Sequence, residues 1–276
     1  MLEPETEVSG EAPTIAAPSG SLSEGDIQGE RYRIRTLLGR GGMGEVWRAY
    51  DLKLRQDVAL KSLLTEGMEG KKVGLEQVVH REQLREEVRV AREVVSPNVC
   101  RVFDLQEVDG RELVSMEYID GTTLADILEE RSPLDLDEAR EIASQFLAGL
   151  EAVHDAGLVH RDIKPENIMI TRTGRVVVMD FGIAKGLGTG KGELAGTPAY
   201  MSPEQRRGDE LDARADIFAA GVVLAEMVAP DGVRSHEDRR SVWETIHGGD
   251  LEPLETPWSA VVSSAVAADR ESRYPG

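Results

Sequence analysis

The run His160-Arg161-Asp162-Ile163-Lys164-Pro165-Glu166-Asn167, followed by Asp180-Phe181-Gly182, concentrates acids, cations and an amide in a short span. Its surroundings decide the fold. Just before Asp180, Arg175–Met179 carries three consecutive valines and reads as a strand. Upstream, Ile142, Phe146, Leu150 and Val153 recur at helical spacing and predict a helix over 136–155. Asp135 and Glu138 stand at its start with the spacing of a capping box. Downstream, Asp216–Val228 is a second, strongly apolar helix. Further toward the N-terminus the pattern changes to strands: Tyr32–Leu38, Gly44–Tyr50, Asp57–Leu64, 99–106 and 112–118, the last two joined by an Asp109-Gly110 turn. One helix interrupts them at 78–95, with Leu84, Val88, Ala91 and Val95 on one face and Pro97 as its stop. Strands with a single helix, then mainly helices, is the signature of an α+β chain in two lobes and not of a doubly wound sheet.

Composition narrows the function classes. The chain has 276 residues, enough for a sizeable core, and a net charge of −19 from 32 basic and 51 acidic residues. That excess of acid argues against nucleic acid as the main partner and gives no reason to expect binding to an anionic membrane. Residues 1–27 are rich in Glu, Pro, Ser, Gly and Ala without periodicity and read as a disordered acidic tail, which puts the folded domain at 28–276. The single cysteine, Cys100, lies in an apolar run and reads as a buried structural thiol. With no disulfide available and no long apolar run or secretory leader, the expected setting is cytoplasmic.

Leu38-Gly39-Arg40-Gly41-Gly42-Met43-Gly44-Glu45-Val46 holds a glycine motif shared by two kinds of nucleotide site. In a dinucleotide fold the glycines join a strand to a helix. Here Val46-Trp47-Arg48-Ala49-Tyr50 continues as a strand, so a hairpin lying over phosphates fits better. Val58-Ala59-Leu60-Lys61 follows, then the two segments quoted first, then Gly196-Thr197-Pro198-Ala199-Tyr200-Met201-Ser202-Pro203-Glu204. In this order and spacing the five segments resemble the protein kinase family, over about residues 31–275, and most of all the bacterial members of the eukaryotic-like Ser/Thr kinases.

The resemblance implies transfer of the γ-phosphate of ATP to a protein hydroxyl, with Mg²⁺ as cofactor and Mn²⁺ as an acceptable substitute. It implies that Asp162 accepts the hydroxyl proton and that Lys164 meets the γ-phosphate. Lys61 would hold the α- and β-phosphates, steadied by Glu87 in preference to its neighbour Glu86. Asn167 and Asp180 would hold the metal, which prefers oxygen ligands. Gly39, Gly41 and Gly44 would let backbone N–H groups approach the phosphates. For the base, Leu38, Val46 and Ala59 would form the roof, and Met169 and Met179 the floor and back. Met116 would guard the rear, and Glu117 and Ile119 would offer the carbonyl and the N–H of a hinge. Asp216 would bond the catalytic-loop backbone, and Glu204 with Arg273 would form a buried ion pair. Lys164 and the region of Thr197 point to Ser/Thr specificity.

Between Gly182 and Gly196 the family often carries a loop phosphate gripped by the Arg of His-Arg-Asp and by a basic residue after Asp-Phe-Gly, here Arg161 and Lys185. Thr189 is the one hydroxyl in that loop, and Glu193 stands at the usual phosphosite. A carboxylate there brings a permanent though weaker charge, so Glu193 is expected to pair with Arg161 and Lys185. Three departures stand out. Ser96 replaces a common His, the stretch after Lys61 is long, and the chain is expected to lack the last helix of the domain. The competing readings are a catalytically weak scaffold with a kinase fold and, more remotely, a nucleotide-binding oxidoreductase. The sequence is silent on oligomeric state.

Overall fold

The computed structural model of the chain describes residues 22–41, 44–63, 75–180, 197–228 and 258–275. The expectations for Gly42, Met43, Phe181, Gly182, Lys185, Thr189, Glu193 and Gly196 lie outside them, as does the long stretch after Lys61.

A six-stranded antiparallel sheet forms the first lobe, in the order β1-β2-β3-β4-β6-β5. Its strands are β1 (Ile27–Gln28), β2 (Tyr32–Gly41), β3 (Gly44–Asp51), β4 (Gln56–Leu63), β5 (Val102–Val108) and β6 (Arg111–Glu117). Helix α1 (Leu75–Ala91) crosses from β4 to β5. Pairing fixes the faces, because residues directly opposite in a ladder point the same way. Val46 faces Lys61, Lys61 faces Val114, and Ala59 faces Met116, so these five share one face. Trp47, Val58, Leu60 and Leu113 fill the other, packed with Tyr32, Ile34 and Leu22. The β5–β6 hairpin closes through Asp109 and Gly110, both at positive φ (50° and 78°), the geometry that Asp-Gly favours.

The second lobe holds a small antiparallel sheet, β7 (Gly121–Thr123), β8 (Ile168–Thr171) and β9 (Val176–Val178), with helices α2 (Leu124–Glu130), α3 (Leu136–Asp155), α4 (Pro203–Arg207), α5 (Ala213–Val228) and α6 (Ser259–Ala265). Helix α5 is buried on nearly every face and is the hub of this lobe's core. A third cluster lies between the lobes. It draws Ala59, Val114 and Met116 from the large sheet, Leu84, Val88 and Ala91 from α1, Val153 from α3 and Val177 from β9.

Several boundaries move from where the sequence put them. Leu22 is buried, 5 % exposed, against the sheet, so the folded part takes in residues 22–27 that read as tail. Helix α1 begins earlier and ends at Ala91. Beyond it the chain turns, Val94 goes into the core in place of Val95, and Val95 is left 80 % exposed. The strand expected from 99 starts at Val102, while Val99 makes a single parallel bridge to Val178. Asp135 caps α3 by accepting the Asp137 N–H at 2.9 Å. The capping box does not close, since Glu138 makes a two-pronged ion pair with Arg131 at 2.7 Å.

Candidate active site

Three elements bring the polar residues together. The first is β4, whose cleft face carries Lys61. Its side chain is 7 % exposed, and the ammonium pairs with Asp180, at the end of β9, over 2.8 Å. The resemblance implied Glu87 as the partner of this cation, and Asp180 is a carboxylate that the structure brings to it. Glu87 is half-buried between the buried Leu84 and Val88, whereas Glu86 is exposed and bonds Arg89 at 2.6 and 2.9 Å.

The second element is the loop from His160 to Asn167. The buried Asp216 on α5 accepts the N–H of His160 at 2.7 Å and that of Arg161 at 2.8 Å, as the resemblance implied. It also takes His154 Nε2 at 2.9 Å. Arg161 is thereby held at φ +65°, and Asp180 sits at +55°. Such left-handed backbone costs a non-glycine residue on the order of 1–2 kcal/mol, so the loop is a strained piece kept in place by its neighbours. The His160 ring closes the arrangement. Its Nε2 is 2.8 Å from the Met179 carbonyl, which can only accept, and its Nδ1 accepts the Asp162 N–H at 3.3 Å. A neutral ring protonated at Nε2 satisfies both.

At the centre, Asn167 donates to the Asp162 carbonyl (2.7 Å) and carboxylate (3.1 Å). That use of its N–H₂ group turns the Asn167 amide oxygen away as a hard ligand. The Lys164 ammonium lies 3.5 Å from the Asp162 carboxylate and donates to Thr197 Oγ1 at 3.0 Å. A cation, a carboxylate and a hydroxyl from two separated segments thus meet at one place. Among the described residues no three His, Cys, Asp or Glu side chains form a metal cage. Two oxygen ligands with the rest left to phosphates and water is the manner of Mg²⁺, so Asn167 and Asp180 fit such an ion.

The third element is the apolar wall between the lobes. Val46, Ala59, Met116, Ile119, Met169 and Met179 all belong to or pack on the cluster there, bringing together six of the residues named for the base. Leu38 stands outside it, 47 % exposed. Gly44 (φ +134°) has no room for a side chain, because a Cβ would lie 1.8 Å from the Ser62 carbonyl. Across the hairpin Gly41 pairs with Gly44, while Gly39 has open space around it. The Glu117 carbonyl has Cys100 Sγ at 3.6 Å, and the Glu117 carboxylate binds Arg175. Burial pushes the Cys100 thiol well above its usual range, which keeps it inert.

Glu204 and Arg273 form the expected buried pair, at 2.5 and 2.9 Å. Arg273 also donates to the carbonyls of Ala267, Arg214 and Ala268 and stacks over Phe218. Two residues that sequence reasoning missed are His154 and Gln205, whose Nε2 donates to the Arg161 carbonyl at 2.8 Å. A His in the last turn of α3, beside the inward Val153, was a usable signal for the first.

The family described as the protein kinase domain matches residues 32–265. A probable serine/threonine-protein kinase of Corynebacterium efficiens is 41 % identical over 210 residues, covering 72 % of this chain and 31 % of its own. The serine/threonine-protein kinase PknB of Mycobacterium tuberculosis is 34 % identical over 262 residues, covering 89 % and 41 %. The chain therefore spans less than half the length of these curated relatives. Among solved structures, the kinase domain of Mycobacterium tuberculosis PknI superposes with a TM-score of 0.66 at 27 % identity, covering 92 % of this chain and 94 % of that one.

Proposed function

The chain belongs to the protein kinase domain family, and from that premise we propose that it transfers the γ-phosphate of Mg·ATP to a Ser or Thr hydroxyl of a protein. The observation that carries the reading is Lys164, which reaches Asp162 and Thr197 together. Asp162 accepts the proton of the attacking hydroxyl. Lys164 compensates charge on the transferred group and ties the catalytic loop to the segment that receives substrate. Lys61 orients the phosphates once it leaves Asp180. Val46, Ala59, Met116, Ile119, Met169 and Met179 enclose the base and exclude water. Asn167 and Asp180 would hold a Mg²⁺ ion, or Mn²⁺ in its place, and when bound that ion supplies neutralising charge to the phosphates. The use of ATP and the lone, buried cysteine support a cytoplasmic setting. Among the described residues no helix is long and apolar enough to cross a membrane.

Arg161 Nε is buried with no hydrogen-bond acceptor among the described residues. This supports an anion partner for Arg161, and Glu193 is the resident candidate.

The test is a single-turnover incubation with labelled ATP, Mg²⁺ and a generic protein acceptor, followed by phosphoamino-acid analysis. Phosphoserine or phosphothreonine is expected. Asp162→Asn should lower kcat by at least about a hundredfold while nucleotide affinity changes little. Nucleotide binding with no transfer by the unsubstituted chain would replace the enzyme with a scaffold of the same fold.

A further inference from the structure

Resting on the kinase reading, we propose that Gln205 is a positioning residue that clamps the catalytic loop to the substrate-binding segment. Arg161, the residue before Asp162, has its strained backbone held from both sides. Its N–H goes to Asp216 at 2.8 Å, and its carbonyl accepts Gln205 Nε2 at 2.8 Å. The orientation of the Gln205 amide follows from chemistry. A carbonyl can only accept, so the N–H₂ end meets Arg161, and the oxygen end takes the N–H of Ser202 at 3.4 Å. The Gln205 backbone N–H in turn donates to Ser202 Oγ at 3.3 Å, so the residue is anchored in a capping box around the fully buried Ser202.

The segment 197–205 thus touches the catalytic loop at two points. Thr197 meets Lys164 after Asp162, and Gln205 meets Arg161 before it. Asp162 is bracketed. The space lined by Arg161, Asp162, Thr197, Tyr200, Gln205 and Asp216 is about 10 Å³, the lower limit for one water. Movement of the substrate segment is transmitted through this amide to the backbone that aims the base.

Gln205→Glu separates the clamp from the cap. A carboxylate still accepts the Ser202 N–H, and Glu is a normal capping-box residue, but at neutral pH it has no proton for the Arg161 carbonyl. We expect kcat to fall about tenfold, as small misplacements of reacting groups do, with the KM for ATP and the Tm nearly unchanged. The deficit should shrink as pH falls through the carboxylate range, where the new carboxyl group takes up a proton and can donate again. Gln205→Ala should lose both kcat and Tm. Wild-type turnover by Q205E overturns the clamp, as does a Tm loss in Q205E as large as that of Gln205→Ala. Amide hydrogen exchange across His160–Ile163, measured without nucleotide, decides the contact independently of catalysis. Faster exchange in Q205E supports the clamp and unchanged exchange overturns it. A wild type that transfers no phosphate sinks the kinase reading instead, and the exchange result still stands.

Discussion

Lys61 bonds Asp180 in this structure and needs a different partner for its proposed task. While it bonds Asp180, it neutralises a group proposed to hold the metal. Its release would be aided by a competing carboxylate, and we propose the half-buried Glu87 for that role. Glu87→Gln should lower kcat/KM by an order of magnitude or so, roughly the worth of one charge-assisted hydrogen bond. Glu86→Gln should do little, since its pair with Arg89 is exposed and screened by solvent. Steady-state kinetics on the two variants checks the register. Glu204 gives a second expectation at this scale. Burial disfavours its charge, but the Arg273 guanidinium and further hydrogen bonds prevail and hold its carboxyl below the ordinary value of 4.5. The folded state then binds its proton less readily than the unfolded chain. The stability this supplies is complete above 4.5 and is lost as pH falls through the folded value. Glu204→Gln should cost about 3–5 kcal/mol at neutral pH, because it leaves Arg273 buried and unpaired. It should also flatten the fall of Tm between neutral and acid pH, read by thermal denaturation.

Helix α3 meets the turn before β5 at Gly149, where a Cβ would lie 2.4 Å from the Asn98 carbonyl and 3.0 Å from Val178. That turn is itself pinned to β9. Val178 donates to the Asn98 carbonyl at 2.8 Å and accepts from Cys100 at 2.9 Å, and Asn98 Nδ2 donates to the Val176 carbonyl. The contact joins the two lobes through backbone. Gly149→Ala should therefore destabilise by about 1–3 kcal/mol, the usual cost of overpacking, despite the better helix propensity of alanine, and a lowered Tm would show it. Helix α3 was legible to the residue because a long amphipathic stripe has a single solution. The end of α1 was not, because Val94 and Val95 are equally apolar and only the direction of the turn selects one. Lys61, Asp162, Asn167, Asp180, Asp216 and the Glu204–Arg273 pair were legible through a resemblance in order and spacing. His154 and Gln205 escaped it, since each acts through a partner whose position only the fold supplies.

The cluster between the lobes is where a nucleotide would join them, with Val46, Ala59 and Met116 on one side and Met169 and Met179 on the other. Ligand bound there adds to the stability of the whole, by about 2.7 kcal/mol at a concentration 100-fold over Kd. ADP should raise the Tm, Mg²⁺ should raise it further, and Asp180→Asn should abolish the second increment while keeping the first. Equal shifts with and without the ion in the unsubstituted chain would remove Asp180 from the metal's ligands. The location of Arg273 adds a consequence in time. Ribosomes deliver the polypeptide from its N-terminus, so Lys61, Asp162, Asn167 and Asp180 leave the tunnel before the guanidinium that belongs to Glu204, which follows it 69 residues later. A nascent chain accordingly holds Lys61, Asp162, Asn167 and Asp180 before the Glu204–Arg273 pair can close, so that lock is among the last contacts of the second lobe to form.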